Sequence, residues 1–118
     1  MKKINVEVMT SGDALKRFAR ALGRASPNNK AEPTIGVGSI AELTALLSPK
    51  RMELLRYVVG HPNLSIRALS QALSRDYKNV HTDVTDLEAN HLLARDSEGR
   101  VSAPYDEIVI RAPLHQAA

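Results

Sequence analysis

The order of segments in the C-terminal two thirds of the chain constrains its fold more than any other feature. Three short amphipathic helices follow one another closely, and a hairpin comes after them. The first helix is predicted behind a Ser48 cap with proline next to it, and it ends at Gly60. The second has a Ser65 cap, and the third is capped by Ser74 or Asp76. Because the turns are short, we expect the three helices to share one small core.

The third helix lies in the stretch SRDYKNVHTDVTDLEANHLL, residues 74–93. Its apolar residues recur at helical spacing and predict one buried stripe, made of Val80, Val84, Leu87 and Leu92. Polar side chains occupy the first two turns outside this stripe, namely Arg75, Lys78, Asn79, His81, Thr82 and Thr85. Such a set at the start of a helix is typical of helices that contact base edges in the major groove. For Tyr77 two roles stay open: a hydroxyl bond to a phosphate, or packing on the second helix.

The segment after the third helix predicts a two-stranded hairpin with its turn at residues 97–99 and its second limb at residues 108–110. We interpret Arg95 and Arg100, on or beside this hairpin, as contacts to flanking DNA, with a plain solvated hairpin as the alternative. The Tyr105-Asp106 dipeptide is expected to lock the hairpin to the third helix.

The N-terminal part predicts two strands and two helices. Residues 4–8 alternate β-branched and polar side chains, which indicates a strand with one buried face, and residues 34–37 predict a second strand. Ser39 and Glu42 form a capping-box pattern at the start of a short helix. We divide the chain into a strand-helix extension, residues 1–33, and a DNA-binding domain, residues 34–118.

The first of the two N-terminal helices, residues 13–25, is predicted to be basic and amphipathic, and it is followed by a polar loop rich in helix breakers. Three roles stay open for it: packing on its own domain, forming a dimer contact together with strand 4–8, or binding an acidic partner or the DNA flanks. We favour the dimer contact.

Composition narrows the classes of function. The chain has 118 residues and no cysteine, which excludes disulfides and thiolate metal sites. The net charge of +3 arises in residues 1–48, with 7 Lys/Arg against 4 Asp/Glu, while residues 49–118 carry 9 of each. A DNA-binding surface there requires its cations to be grouped on one face. No apolar run is long enough to span a membrane, so we expect a cytoplasmic protein with no membrane association.

The sequence offers no constellation for catalysis, a metal or a cofactor, and we expect no enzyme. His81 and Asp83 are two residues apart and do not share a helix face. Asp83 is expected to pair with a neighbour rather than with a cytosine, whereas Asp86 and Glu88 are expected to face solvent.

The block over residues 45–111 resembles the winged-helix transcriptional regulators related to MarR. More narrowly, it is similar to prokaryotic DNA-binding regulators marked by SRDYKNVHxDVxxLE and a following PYDxIxI. The resemblance implies an α+β winged helix-turn-helix, and a dimeric repressor that reads double-stranded DNA with helix 75–90 and wing 94–111. The residues it points to are Arg75, Tyr77, Lys78, Asn79, His81, Thr82, Arg95 and Arg100.

The resemblance carries one departure and one alternative. The family usually has glycine where this chain has His91, so Asn90 or His91 must adopt a left-handed conformation. Some relatives accompany small toxins. This implies an alternative function, an antitoxin that binds a toxin protein and represses its own operon.

Overall fold

The computed structural model describes residues 2–9 and 33–114, and this part of the chain is a small α+β fold with five strands and four helices. In chain order these are β1 (Lys3–Val8), β2 (Thr34–Val37), α1 (Ile40–Leu46), α2 (Pro49–Gly60), α3 (Ile66–Ala72), α4 (Tyr77–Ala89), β3 (Ala94–Arg95), β4 (Val101–Ser102) and β5 (Glu107–Arg111). The predicted helix at residues 13–25 lies outside the described residues.

The chain forms two compact units. The helical unit consists of Lys2 and residues 46–106, and the sheet unit holds the described residues of 3–45 and 107–114. The predicted division at residue 33 stays a prediction. The two compact units follow the sheet, because β2 and β5 belong with β1 in one unit.

The helices of the helical unit begin at the predicted caps. Ser48 caps α2 by accepting the backbone N–H of Arg51 at 3.3 Å. Ser65 caps α3 by accepting the N–H of Ala68 at 3.1 Å. Asp76 occupies the cap position of α4, but its carboxylate makes no capping hydrogen bond. Local chemistry therefore sets where α2 and α3 begin.

The core of the helical unit is aliphatic. It includes Leu54, Leu55, Val58, Ile66, Leu69, Val80, Val84, Leu87, Leu92, Leu93 and Val101. The predicted stripe of the third helix is confirmed, because Val80, Val84 and Leu87 are wholly buried and Leu92 is nearly so. This stripe fixes the rotation of α4 about its axis, and the opposite face of the helix consequently faces solvent.

Both α3 and α4 end in the same left-handed motif. Ser74 has φ 53° and His91 has φ 64°. In each case the backbone N–H of the left-handed residue donates to the carbonyl three residues before it. The N–H of the next residue donates to the carbonyl five residues before itself, and all four bonds measure 2.9–3.1 Å. This is the Schellman pattern, which satisfies carbonyls at the helix end. The predicted left-handed residue at the end of the third helix is confirmed at His91.

The hairpin is shorter than predicted. Its strands β3 and β4 pair antiparallel, and the turn between them is closed by the carboxylate of Asp96, which accepts the N–H groups of Glu98 and Arg100, each at 2.9 Å. Gly99 supplies the positive φ of 80° that this turn requires. The predicted second limb at residues 108–110 is wrong, because β5 pairs with β1 instead.

A single β-bridge attaches the hairpin to the turn between α2 and α3. Val101 donates its N–H to the carbonyl of Leu64 at 2.8 Å, and Asn63 donates to the carbonyl of Val101 at 2.9 Å. A one-residue bridge has no sequence period, so the pattern could not reveal it. The bridge anchors the hairpin to the helices.

Asp106 also differs from its predicted role. Its N–H donates to the carbonyl of Lys2 at 2.8 Å, and its carboxylate accepts the N–H of Lys2 at 3.0 Å. These bonds hold the N-terminal end of the chain, whereas locking of the hairpin to α4 was expected.

The sheet unit is built on β1, which lies between β2 and β5 and runs parallel to both. The predicted strands at 4–8 and 34–37 are confirmed. The expectation of one buried face is wrong, since Asn5 and Glu7 are buried as well as Ile4 and Val6. A central strand of a parallel sheet is commonly covered on both sides.

The capping box of α1 is confirmed with one shift. Glu42 donates its N–H to Oγ of Ser39 at 3.1 Å, and its carboxylate accepts the N–H of Gly38 at 2.7 Å. The carboxylate thus reaches the residue before the cap. In the described part of the chain no helix has both the length and the apolar character needed to cross a membrane.

Replacing His91 with glycine should raise the free energy of unfolding by about 1 kcal/mol, because glycine adopts a left-handed conformation without the steric cost of a Cβ atom. Urea denaturation measures the change. His91→Ala is the matched control, since it removes the imidazole and keeps the Cβ. Equal stabilities of the glycine and alanine variants would contradict a left-handed conformation at residue 91.

Candidate functional site

The first two turns of α4 present a polar, solvent-exposed face, which we name the outward face. It consists of Tyr77, Lys78, Asn79, His81 and Thr82, all of them exposed. Successive helical residues are rotated by about 100°. With Val80 and Val84 turned to the core, Lys78 and Thr82 lie opposite the core. The outward face brings together five of the eight predicted site residues.

Tyr77 lies on the flank of the outward face that is nearest α3. The guanidinium carbon of Arg67 is 5.8 Å from the centre of its ring, and the ring of His81 is 6.0 Å away in a tilted arrangement. Tyr77 therefore packs toward the second helix of the three, as one of the two predicted alternatives has it. It keeps 45% of its surface exposed.

The opposite flank of α4 carries an ion network centred on Asp83. Its Oδ1 accepts from Nε of Arg51 at 3.0 Å, and its Oδ2 accepts from Nη2 of Arg75 at 2.7 Å. The side chains of all three are largely buried, at 13–15% exposed. Arg51 lies on α2 and Arg75 in the turn before α4, so the network ties α4 to two other segments. The prediction that Asp83 pairs with a neighbour is confirmed.

Arg51 also binds Asp86, one turn further along α4, through Nη2. The side chain of Asp86 is 49% exposed, which agrees with the expectation that it faces solvent, but its pairing with Arg51 is not predicted by the sequence. Burial acts to lower the pKa of Arg51, but the hydrogen bonds and charges of Asp83 and Asp86 outweigh it and raise the pKa above its ordinary value. Arg51 therefore stays charged at any pH at which the protein folds.

A second ion pair holds the C-terminal half of α4. Arg95, on β3, donates from Nε to both carboxylate oxygens of Glu88 at 3.1 Å and from Nη2 to one of them at 2.7 Å. These bonds lower the pKa of Glu88 and raise the pKa of Arg95. The side chain of Glu88 is 33% exposed, but its pairing with Arg95 is not predicted by the sequence, and the pair joins α4 to the hairpin.

Two predicted DNA contacts are thus engaged inside the chain. The guanidinium groups of Arg75 and Arg95 bind Asp83 and Glu88 and so brace α4, and their contact with DNA stays a prediction. Arg100 lies near the hairpin tip, and its side chain is 53% exposed. Its Nε is 3.2 Å from Oε2 of Glu98. Lys78 makes no ion pair with any residue that the structure describes.

Arg51 is the site residue that the sequence reading missed. It lies 32 residues before Asp83 and 35 before Asp86, so no local spacing links it to either carboxylate. Within the described segments, no group of three or more His, Cys, Asp or Glu residues is placed to hold a metal ion.

Residues 46–110 match the model of the family HVO_A0114, which is uncharacterised. The match covers more than half of the 118 residues and includes the whole outward face and both sets of ion pairs. The chain matches no curated protein and no solved structure.

Replacing Asp83 with asparagine should lower the free energy of unfolding by about 3 kcal/mol, because two largely buried guanidinium groups lose their shared carboxylate. Chemical denaturation measures this cost. Glu53→Gln, at an exposed position on α2, removes the same charge and should change stability by less than about 0.5 kcal/mol. Similar costs for the two variants would show that the network adds nothing to stability.

The Arg95–Glu88 pair predicts a pH dependence. The pKa of Glu88 is lower in the folded chain than in the unfolded chain. The contribution of ionised Glu88 to the free energy of unfolding is therefore complete above the pKa that Glu88 has in the unfolded chain. It is lost as the pH falls through the pKa that Glu88 has in the folded chain. The stability difference between the native chain and Glu88→Gln should be constant from pH 7 to about pH 5 and should vanish in more acidic solution. A difference that grows on acidification has the opposite sign and rules out this linkage.

Proposed function

The chain belongs to the HVO_A0114 family, and we propose that the segment matching this family is a winged helix-turn-helix domain that binds double-stranded DNA sequence-specifically and regulates transcription. One observation carries the proposal. The outward face of α4 is exposed and polar, while the three carboxylates of the same helix are held by arginines.

The arrangement of the elements supports the fold part of the proposal. The order α2, α3, α4 and hairpin is that of a helix-turn-helix followed by a wing. The bridge from Val101 to Leu64 holds the hairpin against the helices, as a wing requires. Within this fold α4 is the recognition helix, and the hairpin tip with Arg100 lies beside the flanking backbone.

Charge supports the DNA part. A helix in the major groove lies between two rows of phosphates, so an unpaired carboxylate on it is repelled. Arg51 and Arg75 neutralise Asp83, and Arg95 neutralises Glu88. The balanced charge of this region is therefore compatible with DNA binding, because the three carboxylates of α4 are paired with arginines and the outward face keeps Lys78.

The side chains of the outward face have the chemistry for base contacts. The Asn79 amide has the donor and acceptor to bond adenine on its major-groove edge. Lys78 donates to guanine or to a phosphate, and the methyl group of Thr82 suits a thymine methyl group. The free N–H groups at the start of α4 favour a phosphate.

The alternative function and the dimeric state depend on the N-terminal part. Residues 10–32 lie outside the described residues, so toxin binding through the N-terminal part and a dimer contact of helix 13–25 stay predictions.

Two variants on neighbouring positions separate affinity from specificity. A binding site is first selected from a pool of random duplexes. Lys78→Ala should then weaken binding to all sequences alike and reduce the slope of affinity against salt by about 1, whereas Asn79→Ala should relax the preference at one or two base pairs.

Arg56→Ala is the matched control for Lys78→Ala, since this exposed cation on α2 lies outside the outward face. Failure of the native chain to enrich any sequence, or equal loss with the control, would overturn the proposal.

A further inference from the structure

The sheet of the described residues ends in an open edge. Strand β5 hydrogen-bonds to β1 on one side, and no other described strand borders its second side. Glu107, Ile110 and Arg111 are exposed, Ile110 at 49%. An exposed edge strand presents backbone donors and acceptors to any strand that fits it.

We propose that β5 pairs antiparallel with β5 of a second copy of this chain, about a two-fold axis at Val109. The sequence of β5, EIVIR, carries opposite charges at equal distances from its centre. When Val109 lies opposite Val109 of the second copy, Glu107 therefore lies opposite Arg111 of the second copy, and the reverse pair repeats across the axis. The proposal stands on the sheet unit alone and is independent of DNA binding.

The neighbouring strand extends this complementarity. Nζ of Lys3 on β1 is 3.6 Å from Oε1 of Glu107, and Oε1 of Glu7 on β1 is 3.5 Å from Nη1 of Arg111. In the paired sheet, four charged side chains then lie side by side on four adjacent strands and alternate in sign. They are Lys3 on β1 and Glu107 on β5 of one copy, followed by Arg111 on β5 and Glu7 on β1 of the second copy. Opposite charges facing each other across strands stabilise the pairing.

The other face of the same strand contributes apolar contact. Ile108 lies opposite Ile110 of the second copy, so the half-exposed Ile110 side chain becomes covered. The register is thus favoured on both faces. A shift by one residue would place Glu107 and Arg111 of the second copy on opposite faces of the sheet.

The second edge of the sheet lacks this property. Strand β2 has the sequence TIGV, and pairing it with itself would oppose Thr34 to Val37 and Ile35 to Gly36. It carries no charged residue, and its glycine offers no side chain for a cross-strand contact. Charge complementarity therefore selects β5 as the pairing edge.

The size of the contact sets the expected strength. Five-residue strands bury much less surface than the ~1,600 Å² of a standard interface. The dimer should therefore depend on protein concentration, by mass action.

Val109→Cys tests the geometry directly, because the chain has no other cysteine and this position faces its own copy across the axis. Under mild oxidation at high protein concentration the full-length variant should form a disulfide-linked dimer. Thr44→Cys, at an exposed position on α1, is the control and should form no disulfide-linked dimer, although its β5 is unaltered. Equal cross-linking of the two variants would overturn the register.

Charge reversal tests the interface without a cross-link. Sedimentation equilibrium should show a monomer–dimer equilibrium for the native chain and dimerisation weakened by roughly tenfold or more for Glu107→Arg and for Arg111→Glu. Mixing these two variants restores both opposite-charge pairs and should restore dimerisation. Arg56→Glu on α2 is the matched control.

Circular dichroism checks that each variant is folded. Because Glu7 is buried, Arg111→Glu is the more demanding substitution, and Ile110→Lys at a half-exposed site serves in its place if that variant unfolds. Ile110→Lys should also abolish the dimer. A native chain that stays monomeric at all concentrations, or variants that dimerise as the control does, would exclude this interface.

Discussion

The two bonds that Asp83 accepts, from Arg51 and from Arg75, are the interaction on which the rest of the helical unit depends. They join α4 to α2 and to the turn that precedes α4, so three segments share one carboxylate. Hydrophobic burial of Val80, Val84 and Leu87 alone fixes which side of α4 faces inward. The network adds a polar constraint on the flank of the helix, where apolar packing ends, and it leaves the first two turns exposed.

The ion pairs of α4 explain how a region with equal numbers of acidic and basic residues keeps an outward face that fits the DNA binding that we propose. The carboxylates of α4 form ion pairs with arginines from α2, from the turn before α4 and from the hairpin, while Lys78 stays on the outward face. Arg75 and Arg95 position α4 through the same ion pairs. In the function that we propose, the contact with DNA then falls mainly to the uncharged side chains of the outward face, to Lys78 and to Arg100.

Sequence reasoning predicted the helical unit well because its signals are local. Caps such as Ser48 and Ser65 act within three residues, and the apolar stripe of α4 repeats within one helix. It failed where partners are distant in sequence: Arg51 with Asp83, Leu64 with Val101, and β5 with β1. Residues 108–110 have a strand pattern, but a strand pattern does not indicate which strand is the partner. The sequence therefore predicts a hairpin that is longer than the one observed.

A titration of the isotope-labelled chain with a selected DNA duplex, followed by backbone amide NMR shifts, tests the proposed DNA contact most directly. If α4 and the hairpin contact DNA, the largest shift changes fall on residues 77–82 of α4 and on residues 97–100 at the hairpin tip, while the amides of β5 stay unchanged. Changes that spare the outward face and collect elsewhere in the chain would contradict it.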